Sequence, residues 1–149
     1  MKAIAFLIPF FLLSHSVQAK DVDAKVQSNL CVHTKNNKSN HVLSLVNDYN
    51  VNLKRDFNKI HCKKTSKFEG GNLYQVAAHF NRMGMFDSFL DEHGMSINQL
   101  DKHGKTVLDW VDNRIAYYKG RGITHLFEKY KKLRFELVDT YEAKNAKDL

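Results

Sequence analysis

The stretch that decides the fold runs from residue 70 to residue 109, GGNLYQVAAHFNRMGMFDSFLDEHGMSINQLDKHGKTVLD. Val76, Ala77 and Phe80 fall at i, i+1 and i+4, with small alanines where a neighbouring helix comes close. After a turn expected at Met83-Gly84, the run Met85, Phe86, Phe89 and Leu90 predicts a second, amphipathic helix. Gly94 supplies a left-handed stop. Asp101-Lys102-His103-Gly104 has the composition of a tight turn, and Thr106 stands just before the next apolar run.

The unit then begins again. Gly104 lies 34 residues after Gly70, and Leu108-Asp109-Trp110-Val111 falls where Tyr74-Gln75-Val76-Ala77 fell. A period near 33 with one turn and two helices is the signature of ankyrin repeats, and the stretch resembles that family. In the family a turn glycine leads to a Thr-Pro-Leu-His-type helix start, an alanine pair and a leucine-rich second helix. The loop His93-Gly94-Met95-Ser96-Ile97-Asn98 is similar to the one that follows. Leu73 and Val107 replace the proline, Gln75 and Asp109 replace the histidine, and only Ala77-Ala78 keeps the alanine pair. The match is closest over residues 70–112 and looser over 39–52 and 113–137.

The resemblance implies an all-α chain, a short solenoid of about three helix-turn-helix repeats. It also implies a module that binds another protein and carries no cofactor. By the same resemblance Leu100, Asp101, Lys102 and His103 sit at a turn tip, and His79, Asn81, Arg82, Asp112 and Asn113 line an inner helix face. Rigid helices that present such groups lose little entropy on binding.

Working outward, Val42, Leu43, Leu45 and Val46 predict a compact amphipathic helix. Before it, residues 20–40 are polar, with at most a short helix leading to Cys31. Residues 53–69 exceed an ordinary inter-repeat turn and read as an inserted loop or short helix. Beyond 109, residues 106–118 read as the inner helix of the next repeat, with a turn displaced to 119–122. Ile123, Leu126, Phe127, Tyr130, Leu133 and Leu137 then predict a long amphipathic helix that caps the stack. Residues 20–141 thus form one helical domain, and the polar tail 142–149 is expected to fray.

Residues 1–19 read as an address. Lys2 gives a positive start, residues 4–13 are apolar, and Val17-Gln18-Ala19 is a small-residue cleavage site. The apolar run is too short for a stable bilayer anchor, so no membrane insertion is expected after cleavage. Export to the periplasm, or secretion, follows. The 149-residue chain carries 23 basic against 16 acidic residues, a formal charge of +7. Loss of residues 1–19 removes one basic residue, Lys2. The expected partner is a protein with an acidic surface.

Export bears on Cys31 and Cys62, the only cysteines. In an oxidising compartment a lone pair usually bonds to itself. Cys31, His33, His61 and Cys62 also offer two sulfurs and two imidazoles, but without the usual ligand spacing of a zinc site. The disulfide is the favoured reading.

Catalytic signals are absent from the sequence. None of the eight histidines belongs to an HExxH pair, no serine sits in a nucleophile elbow, and no glycine-rich loop has phosphate-cradling spacing. Two basic stretches stand out: Lys54, Arg55, Lys63 and Lys64, then Lys119, Arg121, Lys129 and Lys132. They read either as patches that steer an acidic partner or as solvated faces. Nucleic acid is not expected, because no aromatic residues interleave the charges on an exposed face. Small exported ankyrin-like proteins look similar to periplasmic immunity proteins, which cover the active site of a toxic effector. A host-directed secreted effector, or a stress protein supporting a partner enzyme, is the alternative.

Overall fold

The structure, a computed structural model, describes residues 22–149. The expected signal peptide, residues 1–19, lies outside the described residues. Those described form seven α-helices and no strand: α1 Ala24–Lys35, α2 Ser39–Asp48, α3 Leu53–Asp56, α4 Leu73–His79, α5 Met83–Asp87, α6 Val107–Gly120 and α7 Thr124–Asp139. A single turn of 3-10 helix extends α3, and a wider turn at Ser88–Glu92 extends α5.

Helix pairing follows from how each helix stops. At the ends of α1, α4 and α6 the chain reverses through Asn37, Asn81 and Gly122, all with positive φ. Each reversal carries the same two hydrogen bonds. Lys38, Arg82 and Ile123 donate to His33, Ala77 and Tyr118, while Asn37, Asn81 and Gly122 donate to Thr34, Ala78 and Lys119. This is the Schellman stop, which satisfies the last carbonyls of a helix and turns the chain back. Three hairpins result among the described residues, α1–α2, α4–α5 and α6–α7. Their first helices stand in a row, with α1 against α4 and α4 against α6.

The helix starts repeat as well. Asn72 Oδ1 accepts from the Gln75 N–H at 2.9 Å while Gln75 Oε1 accepts from the Asn72 N–H at 3.0 Å. Thr106 and Asp109 reproduce this reciprocal box one repeat later, at 3.2 Å and 2.9 Å. Two orphan donors are satisfied at each helix entry. Gly71 makes room for the first box: a Cβ there would lie 2.0 Å from Gln75 Oε1. Gly71→Ala should therefore displace Gln75 and destabilise the fold by about 1–3 kcal/mol, measured by urea denaturation.

The turn expected at Met83-Gly84 lies two residues earlier. Asn81 takes the left-handed position, so α5 already begins at Met83. Gly84 is helical, and its missing side chain faces the amide of Asn37 in the first hairpin turn, with Asn37 Oδ1 3.4 Å from an ideal Cβ.

Apolar residues of all three hairpins share one core. Its centre is Tyr74, fully buried, with Phe86 stacked on it at 5.4 Å and Phe57 and Phe89 at 5.1 and 5.5 Å. Trp110 is buried against Tyr130. Cys31 on α1 bonds to Cys62 in the inserted loop, with Cα atoms 5.6 Å apart. Cys62 in turn exchanges two backbone hydrogen bonds with Gly71, at 2.7 and 3.1 Å. The staple therefore joins the first hairpin to the entry of the second, and both sulfurs are consumed.

The tail does not fray as its composition predicts. Ala143 is buried. Thr106 Oγ1 donates to the Lys144 carbonyl at 2.8 Å, and the Lys144 N–H donates to Asn98 Oδ1 at 2.7 Å. Asn145 Nδ2 donates to Asp109 Oδ1 and Asp112 Oδ2, and the Ala146 N–H donates to Asp109 Oδ2. Burial alone would raise the pKa of Asp109, but these donors, with Thr106, outweigh it and hold the carboxyl below its ordinary value. Asn145→Ala removes two donors to carboxylates. We expect a loss of roughly 1–2 kcal/mol and faster amide exchange across residues 143–148.

Candidate partner-binding surface

The turn tip is built on Asp101. Its Oδ1 accepts from the N–H groups of His103 and Lys105 at 2.8 and 3.0 Å, and its Oδ2 accepts from Gln75 Nε2 at 3.0 Å. Asp101 N–H also donates to the Lys105 carbonyl at 2.8 Å, and the Gly104 N–H donates back to the Asp101 carbonyl at 3.0 Å. An Asx-type turn is thus closed and tied, through Gln75, to the capping box of α4. Leu100, Lys102 and His103 are left exposed on this fixed loop. Asp101 is the strut and the other three are the offered groups.

The residues expected on an inner helix face divide in the same way, with Asn81 and Arg82 in the turn between α4 and α5. Asn81 and Asn113 are exposed. Arg82 Nε donates to the Lys35 carbonyl at 2.7 Å, so it ties the second hairpin to the end of α1. Asp112 accepts from Arg134 Nε at 2.7 Å and from Asn145. The half-buried His79 pairs through Nδ1 with the Tyr130 hydroxyl at 3.0 Å, and its carbonyl accepts from Lys129 Nζ at 2.7 Å. His79 therefore holds α4 to α7.

Of the basic residues, Lys54, Lys63, Lys64, Lys119 and Lys132 are exposed. Arg55 grips the buried Asp56 with two donors at 2.9 and 2.6 Å. Arg121 lies over the Tyr117 ring at 5.0 Å. Lys129 is the exception, because its ammonium is spent on the backbone of α4 and burial pushes its pKa down.

Two cavities flank these groups. A cleft of about 250 Å³ lies between α1, the 61–68 segment and α4, walled by the disulfide, Val32, Phe68, Val76 and Phe80. A second, of about 320 Å³, is polar and is bordered by Asn72, Gln75, Asp101, Lys102 and His103. His61 borders both, so cleft and tip lie on either side of it. No single segment announces the cleft, since its walls come from three stretches far apart in sequence. The nearest signal is Val32, an apolar residue off the i, i+4 stripe that Val26 and Leu30 make on α1.

The chain matches no family model, no curated protein and no solved structure. Among the described residues no group of three or more His, Cys, Asp or Glu is arranged to hold a metal ion. No described helix is long and apolar enough to cross a membrane.

Four imidazoles bear on stability. Burial is the largest cause that holds His33, His61, His79 and His93 below the ordinary value, helped by His41 at His33, Lys102 at His61 and Lys129 at His79. Each is more readily protonated in the unfolded chain than in the folded one. Their contribution is complete above the unfolded pKa of about 6.5 and is lost as pH falls from there towards the folded values. We expect the thermal midpoint to drop by a few degrees between pH 7.5 and 5.5. A flat profile across that window would show that folding does not hold these imidazoles below their ordinary value.

Proposed function

We propose that this protein is an exported, ankyrin-like scaffold that grips another protein without transforming it, and that it acts as an immunity protein against a toxic effector. The observation that carries this reading is the tip, where Leu100, Lys102 and His103 project from a loop fixed by the Asp101 hydrogen bonds. Groups held in this way are ordered before the partner arrives, so association loses less conformational entropy. The three hairpins with matching Schellman stops, and the two matching capping boxes, support an ankyrin-like stack. The positive charge of the chain supports a partner with an acidic surface.

The test is a protection assay. Cells that express this protein should survive a toxic effector encoded beside its gene, and the two proteins should co-purify. Full killing in the presence of folded, exported protein would reject the immunity reading. A growth defect on deletion when no toxin is present would instead favour the stress-protection role.

A further inference from the structure

We infer that the cleft between α1, the 61–68 segment and α4 receives one apolar side chain of the partner protein, presented between acidic residues. This rests on the scaffold reading above and adds where the partner is anchored and by what chemistry.

The walls select an apolar group. Val76 and Phe68 are buried at the base beside the Cys31–Cys62 bridge, and the half-buried Phe80 closes one side. Val32 stands at the rim, 47% exposed, while Val26 and Leu30 of the same helix are buried. The volume is about 250 Å³. A cavity of about 150 Å³ accommodates benzene, so this space suits one large aliphatic or aromatic side chain.

The rim selects the neighbours of that side chain. The charged groups on it are Lys35 and Lys63, and no Asp or Glu lines the cleft. Lys35 places its ammonium 5.1 Å from the centre of the Phe80 ring, and both residues line the cleft. An apolar anchor in a pocket ringed by polar groups is how protein interfaces concentrate binding energy. Carboxylates beside the anchor meet the two lysines and avoid like-charge repulsion. His61 borders both the cleft and the cavity beside Lys102 and His103, so the two are neighbours and within the span of one partner surface.

The test needs no knowledge of the partner. A random peptide library displayed on phage is panned against the exported protein, and enriched peptides are synthesised and titrated. We expect Leu, Met, Phe or Trp beside Asp or Glu, and a tenfold or greater loss of binding in Val32→Asp and in Lys35→Glu/Lys63→Glu. All three positions are solvent-accessible, and circular dichroism confirms that the variants fold. No enrichment, peptides without acidic residues, or binding unchanged in the variants would overturn the inference. So would displacement of the peptides by octanoate at micromolar concentration, which would make the cleft a fatty-acid site. If the effector binds the wild type and these variants equally, the cleft inference fails and the scaffold reading stands. If peptides bind as described while protection fails, the immunity reading alone is lost.

Discussion

Phe86→Ala is expected to destabilise the protein by about 3–5 kcal/mol, the largest effect of any single truncation considered. Phe86 is fully buried. Its ring is stacked on Tyr74 at an interplanar angle of 8° and meets Tyr141 at 5.7 Å. Through Tyr74 it reaches Phe57 of the inserted segment and Phe89 of the same hairpin, and through Tyr141 it reaches the end of the third hairpin. Truncation leaves a void where three parts of the chain converge, and the surrounding rings are too rigid to fill it. A small domain has only about 5–15 kcal/mol of stability, so the variant should be partly unfolded at 37 °C. Urea denaturation of Phe86→Ala against Phe135→Ala provides the comparison, because Phe135 is 69% exposed and its loss should be nearly neutral. Similar midpoints for the two variants would place the core elsewhere.

Removing the Cys31–Cys62 bond is the second large effect. The two residues are 31 apart in sequence, and closing a loop of that length restricts the unfolded chain by roughly 3–4 kcal/mol on the chain-entropy estimate. Cys31→Ser/Cys62→Ser should show that loss in chemical denaturation, and reductant should reproduce it in the wild type. The consequence is not confined to the N-terminal hairpin. Cys62 pairs with Gly71, and Gly71 leads into the capping box that sets Gln75 against Asp101. Amide exchange at the 101–105 tip should therefore accelerate when the bond is cut. A stability change below about 1 kcal/mol, with tip exchange unaltered, would separate the staple from the presenting loop.

Local signals in the sequence were legible because their causes are local. The recurrence of Gly70 at Gly104 brings back a helix entry, and Asn72-Gln75 and Thr106-Asp109 form matching boxes there. The amphipathic spacing of Met85, Phe86 and Phe89 gives the buried side of the second helix. The two cysteines pair as expected. The turn position was misplaced because Gly84 looks like a turn glycine, whereas Asn81 takes the left-handed position and Gly84 serves close packing against Asn37. The tail was misread because the contact that holds it joins Asn145 to Asp109, 36 residues away. Polar composition does not distinguish a frayed end from one docked by hydrogen bonds. His79 and Lys129 carry no mark in the sequence that they would be engaged with each other's helices.

The most direct measurement of the proposed immunity role is a calorimetric titration of the protein with any toxic effector found encoded beside its gene. Formation of a complex of nanomolar affinity is predicted, weakened by Leu100→Ala and Lys102→Glu at the tip, with no chemical change in either protein. A folded protein that gives no binding heat at any concentration tested, or that turns over its partner, would contradict it.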